Sequence, residues 1–143
     1  MREYSFSEME LRNRYINKKR VNDVQLYTEV PVFSRSVDLV TLNVYEGSLS
    51  AIEFKLHDWK RAIQQVSTLS LCFDYLFICL PAPSCIKTVS KIKNACITNG
   101  IGLLLYNESL DLFELKCEAK KSDSIWIIQK NQVKKYLEGL PYA

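Results

Sequence analysis

Leu49-Ser50-Ala51-Ile52-Glu53-Phe54-Lys55-Leu56 is the stretch on which the reading of this chain turns. As a strand it shows Ser50, Ile52, Phe54 and Leu56 on one face and Leu49, Ala51, Glu53 and Lys55 on the other. Glu53 and Lys55 therefore project side by side from what the apolar content marks as a core strand. Taken alone, a solvated sheet face with a weak ion pair accounts for them. The strand before it, Val37–Tyr45, is joined through Glu46-Gly47-Ser48, a hairpin connection, and is entered through Arg35-Ser36-Val37-Asp38. A hairpin of this length brings the Asp38 end beside Glu53 and Lys55, so two carboxylates and an ammonium converge.

Working outward, Ser5-Phe6-Ser7-Glu8-Met9-Glu10 holds two overlapping S-x-x-E capping boxes and opens a helix reaching about Lys19. Val24–Val30 is the first strand. Asp58 caps a helix whose stripe is Trp59, Ala62, Ile63, Val66 and Leu69. Tyr75–Leu80 is a solid apolar run, as in a strand buried on both faces. A helix from Ser84 to Thr98 turns Ile86, Val89, Ile92 and Cys96 inward and ends at Asn99-Gly100. Ile101–Tyr106 and Leu110–Lys116 close the order as α-β-β-β-α-β-α-β-β, an α/β sandwich around a mixed sheet. Residues 1–117 read as this domain. Residues 118–143, with a helix around Asn131–Glu138, read as an extension that packs on the core or forms a homodimer contact.

Composition narrows the chemistry. The 143 residues carry 19 basic and 16 acidic side chains, a net +3 that announces no nucleic-acid surface, and 48% of them are apolar, as in a globular domain. One histidine, His57, excludes sites built on two imidazoles. Cys72, Cys79, Cys85, Cys96 and Cys117 lack CxxC spacing and read as buried small hydrophobes in a reducing compartment. With no apolar leader and no run long enough to span a bilayer, the expectation is a cytoplasmic protein without a membrane partner. Oxygen ligands and one lysine remain as the reactive set. Carboxylates suit Mg²⁺ or Mn²⁺, which polarise a phosphoryl oxygen and acidify bound water, and a lysine offsets charge growing on phosphorus.

Asp38 followed after a hairpin by Glu53-Phe54-Lys55 resembles the D…(D/E)-x-K signature of the PD-(D/E)XK, or restriction-endonuclease-like, nuclease superfamily. Thr28-Glu29-Val30, Ala51-Ile52-Glu53-Phe54-Lys55, Ala62-Ile63-Gln64-Gln65, Asp74-Tyr75-Leu76-Phe77 and Gly100-Ile101-Gly102-Leu103-Leu104 resemble its bacterial and phage members. Val37 stands where the eponymous proline would be, a position often not proline in the superfamily. The resemblance implies an α-β-β-β-α-β core over Ser5 to Leu80, with helices flanking a mixed sheet. It implies a Mg²⁺- or Mn²⁺-dependent nuclease acting on DNA. Asp38, Glu53 and the carbonyl of Phe54 would hold the metal, and Lys55 would be the catalytic lysine. It also implies an acid on the first helix, for which Glu8 and Glu10 compete with Glu29 as a third contender, and a glutamine on the helix after the motif, for which Gln65 is better placed than Gln64.

Glu8 shares a stripe with Leu11 and Tyr15, whereas Glu10 lies with Asn13, Arg14 and Asn17 on a polar face. If Ser7 and Glu10 form the capping box, Glu8 is free for the site. Arg35, Lys60 and Arg61 are the expected nucleic-acid contacts, while Lys18-Lys19-Arg20 and Lys120-Lys121 fit equally well as solvated clusters. His57 reads as a helix-entry residue and Trp59 as a core anchor. Against the nuclease stand two alternatives: a non-catalytic nuclease-like module for nucleic-acid binding or assembly, and an unrelated α/β interaction protein.

Overall fold

Ser7 sets the start of the first helix. Its hydroxyl accepts the Glu10 amide at 3.1 Å, so the second of the two capping boxes is the one used. A computed structural model describes residues 3–143, and in it α1 (Glu8–Lys18) is followed by the meander β1 (Val24–Val32), β2 (Arg35–Asn43) and β3 (Leu49–Phe54). Then come α2 (Trp59–Ser67), β4 (Tyr75–Pro81), α3 (Ile86–Asn99), β5 (Gly102–Asn107), β6 (Leu112–Cys117) and α4 (Ile127–Leu137). The fold is α/β. The six strands form one mixed sheet in sequence order: the β1–β2–β3 pairs are antiparallel, β3–β4–β5 parallel, and β6 antiparallel to β5. The parallel steps need crossovers, and α2 and α3 supply them.

Both sheet faces are covered. Ala62, Ile63 and Val66 of α2, Ile92 and Cys96 of α3, and Val133 and Leu137 of α4 pack with Leu49, Ala51, Ile78 and Leu103. Leu11 and Ile16 of α1 pack on the other side with Leu39, Ile52, Phe54 and Cys79. The continuous apolar run of β4 follows from this, since Ile78 and Leu80 serve one cluster and Cys79 the other. No helix among the described residues is long and apolar enough to cross a membrane.

Several boundaries move from their expected places, each for a local reason. β2 starts at Arg35, because a tight turn with Phe33 at φ 57° lets Val32 pair with Arg35. It stops at Asn43, whose side chain accepts the amides of Tyr45 and Glu46 at 3.1 and 3.0 Å. β1 runs on through Pro31, which an edge strand tolerates. Ile86, expected inward, is 82% exposed: it is the first residue of α3, where Val89 is half-buried and full burial begins at Ile92. Cys85, expected buried, occupies the N-cap of that helix and is exposed, while Cys72, Cys79 and Cys96 are buried and Cys117 half-buried.

The segment after β6 returns to the core through an ion pair. Lys130 Nζ lies 2.8 Å from Asp74 Oδ2, with side chains 13% and 4% exposed. The same carboxylate oxygen accepts the Leu49 amide at 2.8 Å, and the Asp74 carbonyl accepts the Ser122 amide at 2.7 Å. Asp74 thus ties the start of β3 to α4. Asp74→Ala would strand a buried amide and a half-buried ammonium together, and is expected to cost about 3–5 kcal/mol in urea denaturation. Asp74→Asn, which keeps the acceptor for Leu49, should cost clearly less.

Candidate active site

The hydrogen bonds between β2 and β3 run from Leu42↔Leu49 to Leu39↔Ile52 and stop there. One step further, where Asp38 faces Glu53, the strands separate, and the Asp38 side chain takes over: Oδ2 accepts the Phe54 amide at 2.8 Å. The same level of β1 is also irregular. Thr28↔Leu39 and Val30↔Val37 are paired, but Glu29 between them has φ 52°, which a non-glycine residue adopts only when its surroundings hold it there. Arg12 at 2.5 Å and the Ser36 hydroxyl at 2.8 Å supply that hold.

The consequence is a change of phase. Leu26 and Leu39 face the α1 side, whereas Val30, Val32 and Val37, which strict alternation would place with them, face the other. Asp38 sits at this switch. It lines a cleft of about 190 Å³ with Glu8, Met9, Arg12, Glu29 and Phe54.

Glu53 is 2% exposed. Its Oε1 accepts from Arg35 Nη2 at 3.2 Å, and Arg35 is itself held by the Gln65 carbonyl and, at 3.0 Å, by the Thr68 hydroxyl. Burial pushes the Glu53 carboxyl pKa up to about 8; the charge of Asp38 and a hydrogen bond shared with it push the same way, against Arg35 and Lys55. Two carboxylates close enough to share a proton, with a lysine and an arginine in electrostatic reach, meet at the fork. Lys55 lies just beyond the end of β3, half-buried, its amide bonded to the Cys79 carbonyl at 3.1 Å. It is not part of the strand, contrary to the expected run to Leu56, because past Phe54 only β4 remains as a partner.

Of the first-helix acids, Glu8 reaches this region: Oε2 accepts the Leu56 amide at 3.1 Å. The residue Glu10 lends its amide to the Ser7 cap, and Glu29 lines the cleft but is taken up by Arg12 and Ser36. Gln65 contributes its carbonyl to Arg35, with its side chain half-buried, while Gln64 is exposed. Arg35 is turned inward onto Glu53, whereas Lys60 and Arg61 are exposed, Lys60 lying 5.6 Å from the Trp59 ring centre. Arg12 was not singled out in the sequence, yet it is buried in the cleft with an Nε that has no hydrogen-bond partner. Its place four residues after Glu8, on the same side of α1, was the available signal.

Among the described residues no group of three or more His, Cys, Asp and Glu side chains stands ready as a metal cage. The Asp38–Glu53 pair offers two carboxylates, which is the number Mg²⁺ commonly takes from a protein, with waters and substrate phosphate completing its shell. A buried carboxyl that holds its proton to about pH 8 beside a second carboxylate is a place where a cation would relieve the charge. The residues fit a hard divalent ion.

No family model and no curated protein matches the sequence. Among solved structures, a protein of unknown function from Silicibacter pomeroyi is similar with a TM-score of 0.65 at 15% identity, over 92% of this chain and 84% of that one. At that identity the likeness concerns the fold alone.

Proposed function

We propose that this chain has the restriction-endonuclease-like variety of the α/β fold and works as a Mg²⁺- or Mn²⁺-dependent nuclease, with DNA as its substrate, in the cytoplasm. The observation that carries the reading is the convergence of Asp38, Glu53 and Lys55 where β2 and β3 part.

In this reading Asp38, Glu53 and the Phe54 carbonyl hold the ion. Once bound, it polarises a phosphoryl oxygen and lowers the pKa of water. The protein's own groups do the rest. Asp38 is oriented by the Phe54 amide, so its carboxylate is set before substrate arrives. Arg35 fixes Glu53 from the α2 side by way of the Gln65 carbonyl, which gives Gln65 a positioning role. Lys55 orients the attacking water and takes up charge as the phosphate becomes more negative. Glu8, held by the Leu56 amide, borders the cleft on the α1 side, where it can receive a proton from that water. Exposed Lys60 and Arg61 follow the phosphate backbone.

The test is calorimetric titration with Mg²⁺ and Mn²⁺ together with cleavage of plasmid and oligonucleotide DNA. Asp38→Asn keeps an acceptor for the Phe54 amide and should fold, yet bind the ion at least about tenfold more weakly and cut correspondingly less. A parent protein that binds neither ion sinks the proposal.

One observation favours a second reading: Arg35 already occupies Glu53 Oε1 at 3.2 Å. A non-catalytic module would keep this pair as a structural clamp and bind nucleic acid, or a second copy, without turnover. It would show DNA binding indifferent to both metal and Asp38→Asn.

A further inference from the structure

Beyond the acidic cleft lies a second cavity, of about 330 Å³, at the carboxyl ends of the parallel strands β3 and β4. Its walls include the rings of Tyr4, His57 and Trp59, with Leu56 and Pro81 among its apolar surfaces and Cys85 also lining it. Tyr4 and His57 lie with ring centres 5.3 Å apart, tilted by 32°. The two cavities adjoin through β3 and its continuation: Phe54 lines the acidic cleft, and Leu56, whose amide Glu8 holds, lines the aromatic one. Two residues of extended chain span about 6.6 Å.

We infer that this aromatic cavity receives the base of an unpaired nucleotide next to the scissile phosphate, so that the substrate is single-stranded or locally unpaired nucleic acid. The inference rests on the nuclease reading for the position of that phosphate. Several features point to a base over another apolar ligand. Flat aromatic walls accept the face of any base, whatever its sequence. Lys55 follows the end of β3 between the residues that line the two cavities, and exposed Lys60 and Arg61 stand on the first turn of α2 next to Trp59. Cations as well as the Asp58 cap thus border the opening that a sugar–phosphate chain would cross. A base inside a duplex is stacked and paired and cannot enter, so the cavity selects a nucleotide already unpaired or cheaply extruded. His57 and Trp59 thereby acquire a common purpose as a stacking platform, in addition to the packing of Trp59 against the core.

The experiment uses the full chain in metal-free buffer, so that binding is read without cleavage. Cys85 is the exposed one of the five cysteines, and its alkylation by iodoacetamide, followed by peptide mass, reports occupancy of the cavity. Hexathymidylate should slow the modification of Cys85. An abasic oligomer of the same length should need a concentration on the order of tenfold higher for the same protection, and a duplex should protect no better than the abasic strand. In a Trp126→Phe variant the remaining tryptophan, Trp59, should be quenched by hexathymidylate and not by the abasic strand. His57→Ala, at an exposed position, should bring the two single strands together in affinity. Equal protection by hexathymidylate and abasic strand, protection by duplex as good as by single strand, or no protection at all would each overturn the inference. The two readings fail separately. Metal-dependent cutting that ignores the base removes this inference alone, and base-dependent protection in a protein that cuts nothing removes the nuclease reading, and with it the scissile phosphate, while leaving the base-binding cavity.

Discussion

Lys55→Ala is expected to lower phosphodiester cleavage by about 10²–10³-fold while leaving divalent-ion affinity within a few-fold of the parent. The side chain lies outside the strand ladder, and its backbone is fixed independently by the Cys79 carbonyl, so its removal should not disturb β3 or β4. Its ammonium stands close enough to Glu53 to lower that carboxyl's pKa, which places it beside the metal-binding pair without making it a ligand. A group in this position acts on charge that develops during reaction, and its loss should appear in the single-turnover rate and not in ground-state binding. Lys55→Arg keeps the charge but exchanges a compact donor for a wider planar one that stays protonated, so recovery should be partial. Without the nearby cation Glu53 should also ionise at higher pH, and the residual activity of Lys55→Ala should rise later on the pH axis than the parent's. A variant that loses metal binding in proportion to activity would make Lys55 an electrostatic support for the pair and nothing more. Undiminished cleavage would remove it from the chemistry altogether.

Glu53 and Lys55 were legible because alternation is a property of local sequence: two charges in an otherwise apolar strand break a pattern that burial demands. Asp38 was legible because a hairpin brings its end of β2 beside the Glu53 end of β3. The register itself was not, since β2 stops at Asn43 and the connection is residues 44–48, longer than Glu46-Gly47-Ser48, which sets Leu39 opposite Ile52. Glu8 was undecided between two capping boxes with the same spacing, and only the Ser7–Glu10 bond separates them. The hidden part of the site is the part made by exceptions to periodicity. No pattern in Thr28-Glu29-Val30 announces a positive φ at Glu29, because that conformation is imposed from outside by Arg12 and Ser36. The early end of β3 is equally non-local, since it follows from the strands parting where the Asp38 side chain takes the Phe54 amide. Arg35 was noticed as a cation and expected outside. It turns inward because Glu53, the Gln65 carbonyl and the Thr68 hydroxyl give it three acceptors at once.

Glu53→Gln is expected to abolish cleavage and, in the metal-free protein, to raise stability at alkaline pH. The carboxyl ordinarily titrates near 4.5 and in the native chain does so at about 8. Between those values the folded protein keeps a proton that the unfolded chain has released. Stability of the metal-free parent therefore falls as pH rises from 4.5 toward 8, by up to about 1.4 kcal/mol per pH unit, and levels off above it. Glutamine does not titrate, still offers Arg35 an oxygen, and replaces a buried carboxylate that burial and Asp38 both oppose. The loss of the ion pair with Arg35 works in the other direction, but that arginine retains the Gln65 carbonyl and the Thr68 hydroxyl. The net gain should be on the order of 1–3 kcal/mol at pH 8.5, visible as a higher urea midpoint with unchanged slope, and should vanish near pH 4.5. Saturating Mg²⁺ should reverse the order, because it stabilises only the chain that binds it. Binding by the parent at pH 7 should release close to one proton, measurable from titrations in buffers of different ionisation enthalpy. A parent whose metal-free stability is flat between pH 5 and 8.5 would show that Glu53 is ionised throughout, clamped by Arg35, and that the fork has no need of a second cation.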